Sequence, residues 1–229
     1  MNENKKKIWI TGASSGIGKA LAIKFATNGW QVAVSARRES LLQDLNKINS
    51  NIHSFPLDVK DEFKTKKVFE YIIEKFQTLD IAVFCTGIHD PNAEKKLSSE
   101  TIRQIMETNF FGTLNCVMAT NNYFKEKKSG HISIVSSVAG YRGLPAASGY
   151  CASKSALISL AESIYFDFKR HNVRVSVINP GFIKTPMTDK NKFPMPMIKS
   201  PEYAAEKIFI GLTKKNIFEI HFPITFTIM

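Results

Sequence analysis

Three side chains in the second half of the chain have types and a spacing suited to moving a proton. Tyr150 and Lys154 are four residues apart in a segment with helical periodicity, so they lie on one face of the predicted helix. An ammonium group beside a phenol favours the phenolate, so we expect Lys154 to lower the pKa of Tyr150 and make it a general acid/base. Ser137, with Ser136 before it, ends the preceding apolar segment, where a hydroxyl group would hold a substrate oxygen beside Tyr150.

A tyrosine and a lysine at this spacing also occur in helices that do no chemistry, but other catalytic arrangements have less support. A serine nucleophile would need a histidine at a matching strand end, and the sequence places none there. The three cysteines, Cys85, Cys116 and Cys151, are far apart, and the five histidines are scattered. We therefore expect reduced thiols and no metal site.

The eight residues TGASSGIG, at positions 11–18, join an apolar segment to a predicted helix. Glycine lets the backbone turn sharply and approach a ligand closely, and the N–H groups at a helix N-terminus bind anions. The segment predicts a cradle for the pyrophosphate of a dinucleotide, although a plain strand-to-helix turn would use the same glycines. The residues that we expect to contact the cofactor here are Gly12, Ser14, Ser15, Gly16, Ile17 and Gly18.

Two arginines follow the second predicted strand. Dinucleotide folds that prefer NAD place an acidic residue at this point, where it binds the ribose hydroxyl groups. Here Ala36 is followed by Arg37 and Arg38, whose guanidinium groups suit a 2′-phosphate. We therefore expect NADP(H) to be preferred over NAD(H), with a solvated arginine pair on a basic protein as the alternative.

Apolar segments of strand length alternate with helical segments along the chain. Such alternation with short connections predicts an α/β fold, a single Rossmann-type, doubly wound, mostly parallel seven-stranded sheet with helices on both faces. We expect residues 1–229 to form one dinucleotide-binding and catalytic domain. The third strand is predicted in IHSFPLDV, and two long helices are predicted over Ser98–Lys128 and Ser148–His171.

The chain of 229 residues has a formal net charge of +11, with 44% hydrophobic and 22% charged residues. Its lysines lie in short scattered runs, such as EKK at Glu94, so we expect a solvated basic surface and no nucleic-acid binding. The sequence shows no signal peptide and no membrane-spanning run, which predicts a cytoplasmic protein. The apolar ending IFEIHFPITFTIM would pack on a partner subunit, touch a membrane surface at its periphery, or be cut short relative to a longer relative.

Four motifs in this order resemble the short-chain dehydrogenase/reductase family. They are TGASSGIG, a serine (Ser137) thirteen residues before the tyrosine, YCASK from Tyr150 to Lys154, and NPGFIKT after the sixth predicted strand. The resemblance runs from Lys7 to about Phe222. It implies an oxidoreductase that transfers a hydride between NADP(H) and a carbonyl compound or secondary alcohol.

The resemblance also implies roles for individual residues. Ser137 would polarise the substrate carbonyl, Tyr150 would give or take the proton, and Lys154 would bind the nicotinamide ribose and lower the pKa of the tyrosine. Asn109, in METNFFG, would position a water molecule in a proton relay. The further cofactor contacts that the family implies are Asp58 and Val59 near the adenine, Gly87 behind the ribose, and Pro180, Gly181, Ile183 and Thr185 around the nicotinamide.

One segment departs from the family pattern. The family has N-N-A-G after the fourth strand, where this chain has Phe84, Cys85, Thr86 and Gly87. The missing asparagine normally steadies the central sheet through its hydrogen bonds to neighbouring backbone. Because the catalytic set from Asn109 to Lys154 is intact, we still expect an active enzyme.

The segment at about residues 184–200 is rich in Met, Pro and Phe. It predicts an apolar lid over a moderately apolar small-molecule carbonyl or alcohol substrate, or else a loop that packs on its own core. By the resemblance, the two long helices would form a homodimer or homotetramer, with Phe110, Phe111, Tyr165 and Phe168 in the interface or in the core. A regulatory or scaffold protein that binds NADP(H) on the same fold, with little or no turnover, is the alternative from another class.

Overall fold

Seven parallel strands form one sheet in the computed structural model, which describes residues 5–223. The strands are β1 (Lys7–Thr11), β2 (Gln31–Ser35), β3 (Ile52–Ser54), β4 (Ile81–Phe84), β5 (Gly130–Val135), β6 (Val173–Pro180) and β7 (Glu219–Phe222). Their order across the sheet is β3-β2-β1-β4-β5-β6-β7, and every pairing is parallel. The predicted doubly wound parallel sheet is confirmed. The apolar ending beyond residue 223 lies outside the described residues.

Helices cover both faces of the sheet, as predicted. They are α1 (Gly16–Thr27), α2 (Glu39–Ile48), α3 (Glu62–Phe76), α4 (Ser99–Met106), α5 (Gly112–Lys127), α6 (Ser148–Lys169) and α7 (Pro201–Lys214). Successive side chains of a strand point to opposite faces, and β1 shows the result. Ile8 and Ile10 belong to the core that includes residues of α1, α2 and α7, whereas Trp9 belongs to the core with α3, α5 and α6.

The helix predicted over Ser98–Lys128 is interrupted, which corrects the prediction of one regular element. A π-helical turn over Glu107–Phe111 separates α4 from α5. Such a turn re-aims side chains within an otherwise continuous helix, and here Asn109 is fully buried. The amide of Asn109 binds the backbone of Ile88 at both its N–H and its C=O, a contact that residue spacing does not reveal.

The third strand is shorter than predicted. Regular strand structure ends at Ser54, two residues before Pro56. Proline has no N–H group to donate to the ladder, so regular pairing stops there. The backbone stays beside β2 all the same, since the N–H groups of Phe55 and Leu57 donate to Val34 and Ala36.

The π-helical turn is packed tightly, and this generates a prediction about stability. A Cβ on Gly112 would lie 2.5 Å from Cγ2 of Val59, a stiff β-branched side chain. We expect Gly112→Ala to lower the free energy of unfolding by about 1–3 kcal/mol, because overpacked cores cost about that much. Urea denaturation measures it. The matched control is Gly143→Ala, where a Cβ meets nothing within 4 Å. Equal effects of the two substitutions would contradict the prediction.

Candidate active site

A cleft of about 460 Å³ opens along the carboxyl ends of the strands, at the point where the strand order reverses between β1 and β4. Ligands of open parallel sheets bind in this crevice. Seventeen of the predicted site residues line it: Gly12, Ser14, Ser15, Gly16, Ile17, Gly18, Arg37, Arg38, Val59, Gly87, Ser137, Tyr150, Lys154, Pro180, Gly181, Ile183 and Thr185. Asp58 and Asn109 do not line it.

The glycine segment between β1 and α1 folds so closely that side chains would not fit. Gly12 and Gly16 have φ values of +66° and +54°, which glycine adopts without strain. A Cβ on Gly12 would lie 2.7 Å from the carbonyl oxygen of Cys85, and one on Gly18 would lie 2.5 Å from that of Gly12. The N-cap of α1, Ser15, makes no side-chain hydrogen bond to the helix. The segment therefore fits the phosphates of a dinucleotide.

Arg38 lies against this segment, a contact that the sequence did not predict. Its guanidinium group donates to Oγ of Ser14 at 2.8 Å and to Oγ of Ser15 at 2.9 Å. Arg37 lines the same end of the cleft, and both arginines are exposed. The cleft thus carries positive charge beside the glycine segment, where an anionic group would bind.

Ser137, Tyr150 and Lys154 come together in the middle of the cleft. Ser137 follows β5, where its Oγ accepts a hydrogen bond from the N–H of Ala139 at 3.1 Å. The same Oγ donates to the carbonyl oxygen of Pro180 at 3.4 Å, and Tyr150, in the first turn of α6, lines the cleft beside it. One turn later, Nζ of Lys154 donates to the carbonyl oxygen of Val135 at 2.9 Å. The sheet edge and one helix face therefore position the three groups.

The expected effect of Lys154 on Tyr150 is wrong for this structure. Burial raises the pKa of Tyr150 to about 12, and the nearby hydroxyl group of Ser137 opposes this only in part. Burial also lowers the pKa of Lys154 to about 8. The reason is that desolvation penalises each charged form. Nζ of Lys154 lies 5.7 Å from the centre of the Tyr150 ring and donates elsewhere.

Two predicted residues lie outside the lining of the cleft. Asn109 is buried behind it, and its Nδ2 donates to Oγ of Ser153 at 2.9 Å as well as to Ile88. A Cβ on Gly87 would lie 3.6 Å from Oδ1 of Asn109. Gly87 therefore lies between the amide of Asn109 and the cleft. Asp58 accepts a hydrogen bond from the N–H of Lys60 at 3.1 Å.

The segment that departs from the family pattern keeps its place in the sheet by another contact. Oγ1 of Thr11 accepts a hydrogen bond from the N–H of Cys85 at 3.1 Å, which ties β1 to the end of β4. Burial raises the pKa of the Cys85 thiol to about 11, so the thiol stays protonated and inert at neutral pH. Oγ1 of Thr86 is buried with no hydrogen-bond partner among the described residues.

The sequence analysis did not name His89 and Glu94 individually as site residues, and both lie beside Tyr150. Glu94 was placed in a solvated lysine run, but its side chain is only 1% exposed. Its Oε1 lies 2.7 Å from Nδ1 of His89, and His89 lines the cleft. A charged residue among lysines looks the same in sequence whether it faces water or the core. The sequence pattern therefore did not indicate that Glu94 is buried.

The segment predicted as a lid contributes to the cleft at its first residues. Thr185, Pro186, Met187 and Thr188 line the cleft, and a short 3₁₀ turn covers Thr188–Lys190. Nζ of Lys190 lies 3.1 Å from Oδ2 of Asp90, which follows β4. This ion pair connects the two walls of the cleft.

A sequence profile of the short chain dehydrogenase family matches residues 6–196. The chain belongs to this family. The family comprises oxidoreductases, and an uncharacterized oxidoreductase of Myxococcus xanthus is 33% identical over 218 residues, which cover 93% of this chain and 86% of that protein. The 3-oxoacyl-(acyl-carrier-protein) reductase FabG of Thermotoga maritima is 30% identical over 213 residues, 87% of each chain.

A solved structure has the same fold. ElxO with NADP bound superimposes with a TM-score of 0.84 at 25% sequence identity, covering 95% of this chain and 97% of that chain.

Within residues 5–223, no helix is long and apolar enough to cross a membrane.

The buried Lys154 leads to a prediction about pH and stability. Its pKa is about 8 in the folded chain and 10.5 unperturbed, so between these values the folded state binds fewer protons than the unfolded chain. The free energy of unfolding of the wild type should therefore rise with pH in this window, relative to Lys154→Met, by up to about 3 kcal/mol. Urea denaturation from pH 7 to pH 10 measures the difference.

The control for that measurement is Lys66→Met, at an exposed position of α3. Its stability curve should run parallel to that of the wild type across the pH range. If the curve of Lys154→Met is parallel as well, burial of the Lys154 amino group does not change the pH dependence of the free energy of unfolding, and the prediction is wrong.

Proposed function

We propose that the protein is an NADP(H)-dependent oxidoreductase that reduces small carbonyl compounds, with Tyr150 as the proton donor. The observation that carries the proposal is the meeting of Ser137, Tyr150 and Lys154 in one cleft with the glycine segment. Two relatives support it. One structure of ElxO contains NADP, and the Thermotoga maritima protein is a reductase of 3-oxoacyl groups.

The cofactor would lie along the cleft from the glycine segment to Lys154. The backbone N–H groups at the start of α1 would bind its phosphates, and Arg37 and Arg38 would bind the 2′-phosphate of NADP(H). Lys154 would bind the nicotinamide ribose. The other residues proposed to contact it are Asp58, Val59, Gly87, Pro180, Gly181, Ile183 and Thr185. When bound, the cofactor supplies the hydride.

The protein residues would hold and protonate the carbonyl oxygen. On binding, the substrate oxygen would take the place of the present partners of the two hydroxyl groups, so that Ser137 and Tyr150 each donate one hydrogen bond to it and polarise the carbonyl group. As negative charge develops on the oxygen, Tyr150 would transfer its proton. With a pKa of about 12, the phenol carries its proton at neutral pH, as a proton donor must. Asn109 would hold the backbone at Ile88 in place. It would in this way support the relay that returns a proton to Tyr150.

The substrate would be a moderately apolar carbonyl compound or, in the reverse reaction, an alcohol. Pro186 and Met187 present apolar groups to the cleft, and we propose residues 184–200 as a lid within one domain. Phe111, Met118 and Phe166 are 44%, 58% and 65% exposed on or beside the long helices, which supports a homodimer or homotetramer. Phe168, by contrast, is buried in the core. We propose the cytoplasm as the location of the protein.

Removal of the phenolic hydroxyl group tests the role of Tyr150. We expect Tyr150→Phe to bind NADPH like the wild type but to lose about 1000-fold in kcat, since a positioned acid contributes about 100- to 10,000-fold. Fluorescence titration measures binding, and NADPH oxidation with a panel of ketones and aldehydes measures turnover. Tyr165→Phe, on the same helix but outside the cleft, is the control.

Two outcomes would go against this assignment. Turnover by Tyr150→Phe close to that of the wild type would show that another group donates the proton. Wild-type protein that binds NADPH but reduces no carbonyl compound in the panel would instead favour the regulatory or scaffold protein.

The cofactor preference is tested by Arg38→Ala. Loss of a charge-assisted hydrogen bond costs about 1.5–3 kcal/mol, so KM for NADPH should rise about 10- to 100-fold. KM for NADH should change by less than about 3-fold, because NADH has no 2′-phosphate for the arginine to bind. Arg103→Ala, at an exposed position on α4, is the control. Equal changes for NADPH and NADH would refute the proposed contact.

A further inference from the structure

The residues that follow β4 are held at two points around one histidine. The N–H of Ile88 donates to Oδ1 of Asn109 at 2.7 Å, and its C=O accepts from Nδ2 at 3.0 Å. On the other side, Asp90 pairs with Lys190 at 3.1 Å. His89 lies between these two contacts and lines the cleft. Its backbone is therefore fixed by the same residues that build the site.

A buried carboxylate fixes the side chain of His89 as well. Oε2 of Glu94 accepts hydrogen bonds from the N–H groups of Gly149 and Tyr150 at 2.7 and 3.1 Å. Oε1 lies 2.7 Å from Nδ1 of His89. Since a carboxylate only accepts, Nδ1 carries the proton of this hydrogen bond, and Nε2 is left for another partner. The described residues provide Nε2 with none.

The ring of His89 packs against the ring of Tyr150. The two ring centres are 4.6 Å apart, and the rings are tilted by 35°. The side chain of His89 is 11% exposed, so it lies at the wall of the cleft and not in open solvent. A molecule whose carbonyl oxygen is bound by Tyr150 would therefore bring its next few atoms to the histidine.

We propose that His89 is a substrate-binding residue whose Nε2 binds a second polar group of the carbonyl compound that Tyr150 protonates. This proposal rests on the proposed function and names its substrate class. The substrate carries a second oxygen a few bonds from the reacting carbonyl, as in a β-keto ester. Glu94 is the positioning residue, because it orients the imidazole and the first turn of α6 together.

Capping of α6 alone does not account for the arrangement. The N-cap of α6, Ala147, has no side chain able to accept a hydrogen bond, so Glu94 does satisfy the helix. That task needs only the contacts to Gly149 and Tyr150. The histidine is an additional partner, and a buried pair of polar side chains at a cleft wall costs desolvation that an apolar pair would not.

The test compares two substrates of equal chain length, ethyl 3-oxobutanoate and heptan-2-one, on His89→Phe. Phenylalanine keeps the ring packing on Tyr150 and removes the nitrogen. We expect the ratio of kcat/KM for the keto ester to that for the ketone to fall about 10-fold, the value of one hydrogen bond. The value of kcat/KM for heptan-2-one should stay within about 3-fold. His89→Gln, which restores a polar group, should recover part of the ratio.

A second measurement does not depend on turnover. In ¹⁵N-labelled protein with NADP⁺ bound, ethyl 3-oxobutanoate should shift the Nε2 resonance of His89, and heptan-2-one should not. The control variant is His171→Phe, outside the cleft and two residues beyond the end of α6. It should leave both the selectivity ratio and the resonance of His89 unchanged.

Two results would overturn the proposal: an unchanged ratio in His89→Phe, with or without an equal loss of kcat/KM for both substrates, or no shift of the Nε2 resonance with the keto ester. These differ from failure of the proposed function, in which wild-type protein with NADPH reduces neither compound nor any other carbonyl. In that event a shift of the Nε2 resonance would still support a binding site for the keto ester at His89.

Discussion

The parallel pairing of β1 with β4 is the contact on which the site depends. It places the ends of both strands at one edge, where the backbone at Gly12 approaches the carbonyl group of Cys85 so closely that no Cβ fits between them. Thr11 closes the same junction through its hydrogen bond to the N–H of Cys85. Because the strand order reverses here, the loops on either side diverge and leave the cleft between them.

Desolvation then decides the state of the groups in that cleft. Burial holds the phenol of Tyr150 in its protonated form and makes the amino group of Lys154 easier to deprotonate. Burial of these groups thus lowers the free energy of unfolding, as it commonly does at functional sites. The backbone contacts that fix Lys154 to Val135 and Glu94 to the start of α6 keep these groups in place despite that cost.

Much of the fold and of the site could be predicted from local patterns. Strand-length apolar segments that alternate with helices were enough to predict the parallel sheet. The spacing of the glycines, together with Arg38, predicted one end of the cleft. The π-helical turn at Asn109 could not be predicted, because it depends on a contact with Ile88 across the fold. For the same reason, Glu94 was assigned to solvent although it lies beneath His89 and Tyr150.

The sequence by itself determined the order of the elements and the choice of Ser137, Tyr150 and Lys154 as the proposed reacting side chains, since both follow from residue type and from spacing along one strand or helix. Only the tertiary structure decided their protonation and their neighbours. The pKa of Tyr150 depends on how completely water is excluded by elements far away in the chain, and this exclusion reversed the direction expected from Lys154 alone. The segment TGASSGIG could be recognised from the sequence alone, but the contact of Glu94 with the first turn of α6 joins residues that are 55 positions apart and appears only in the folded chain.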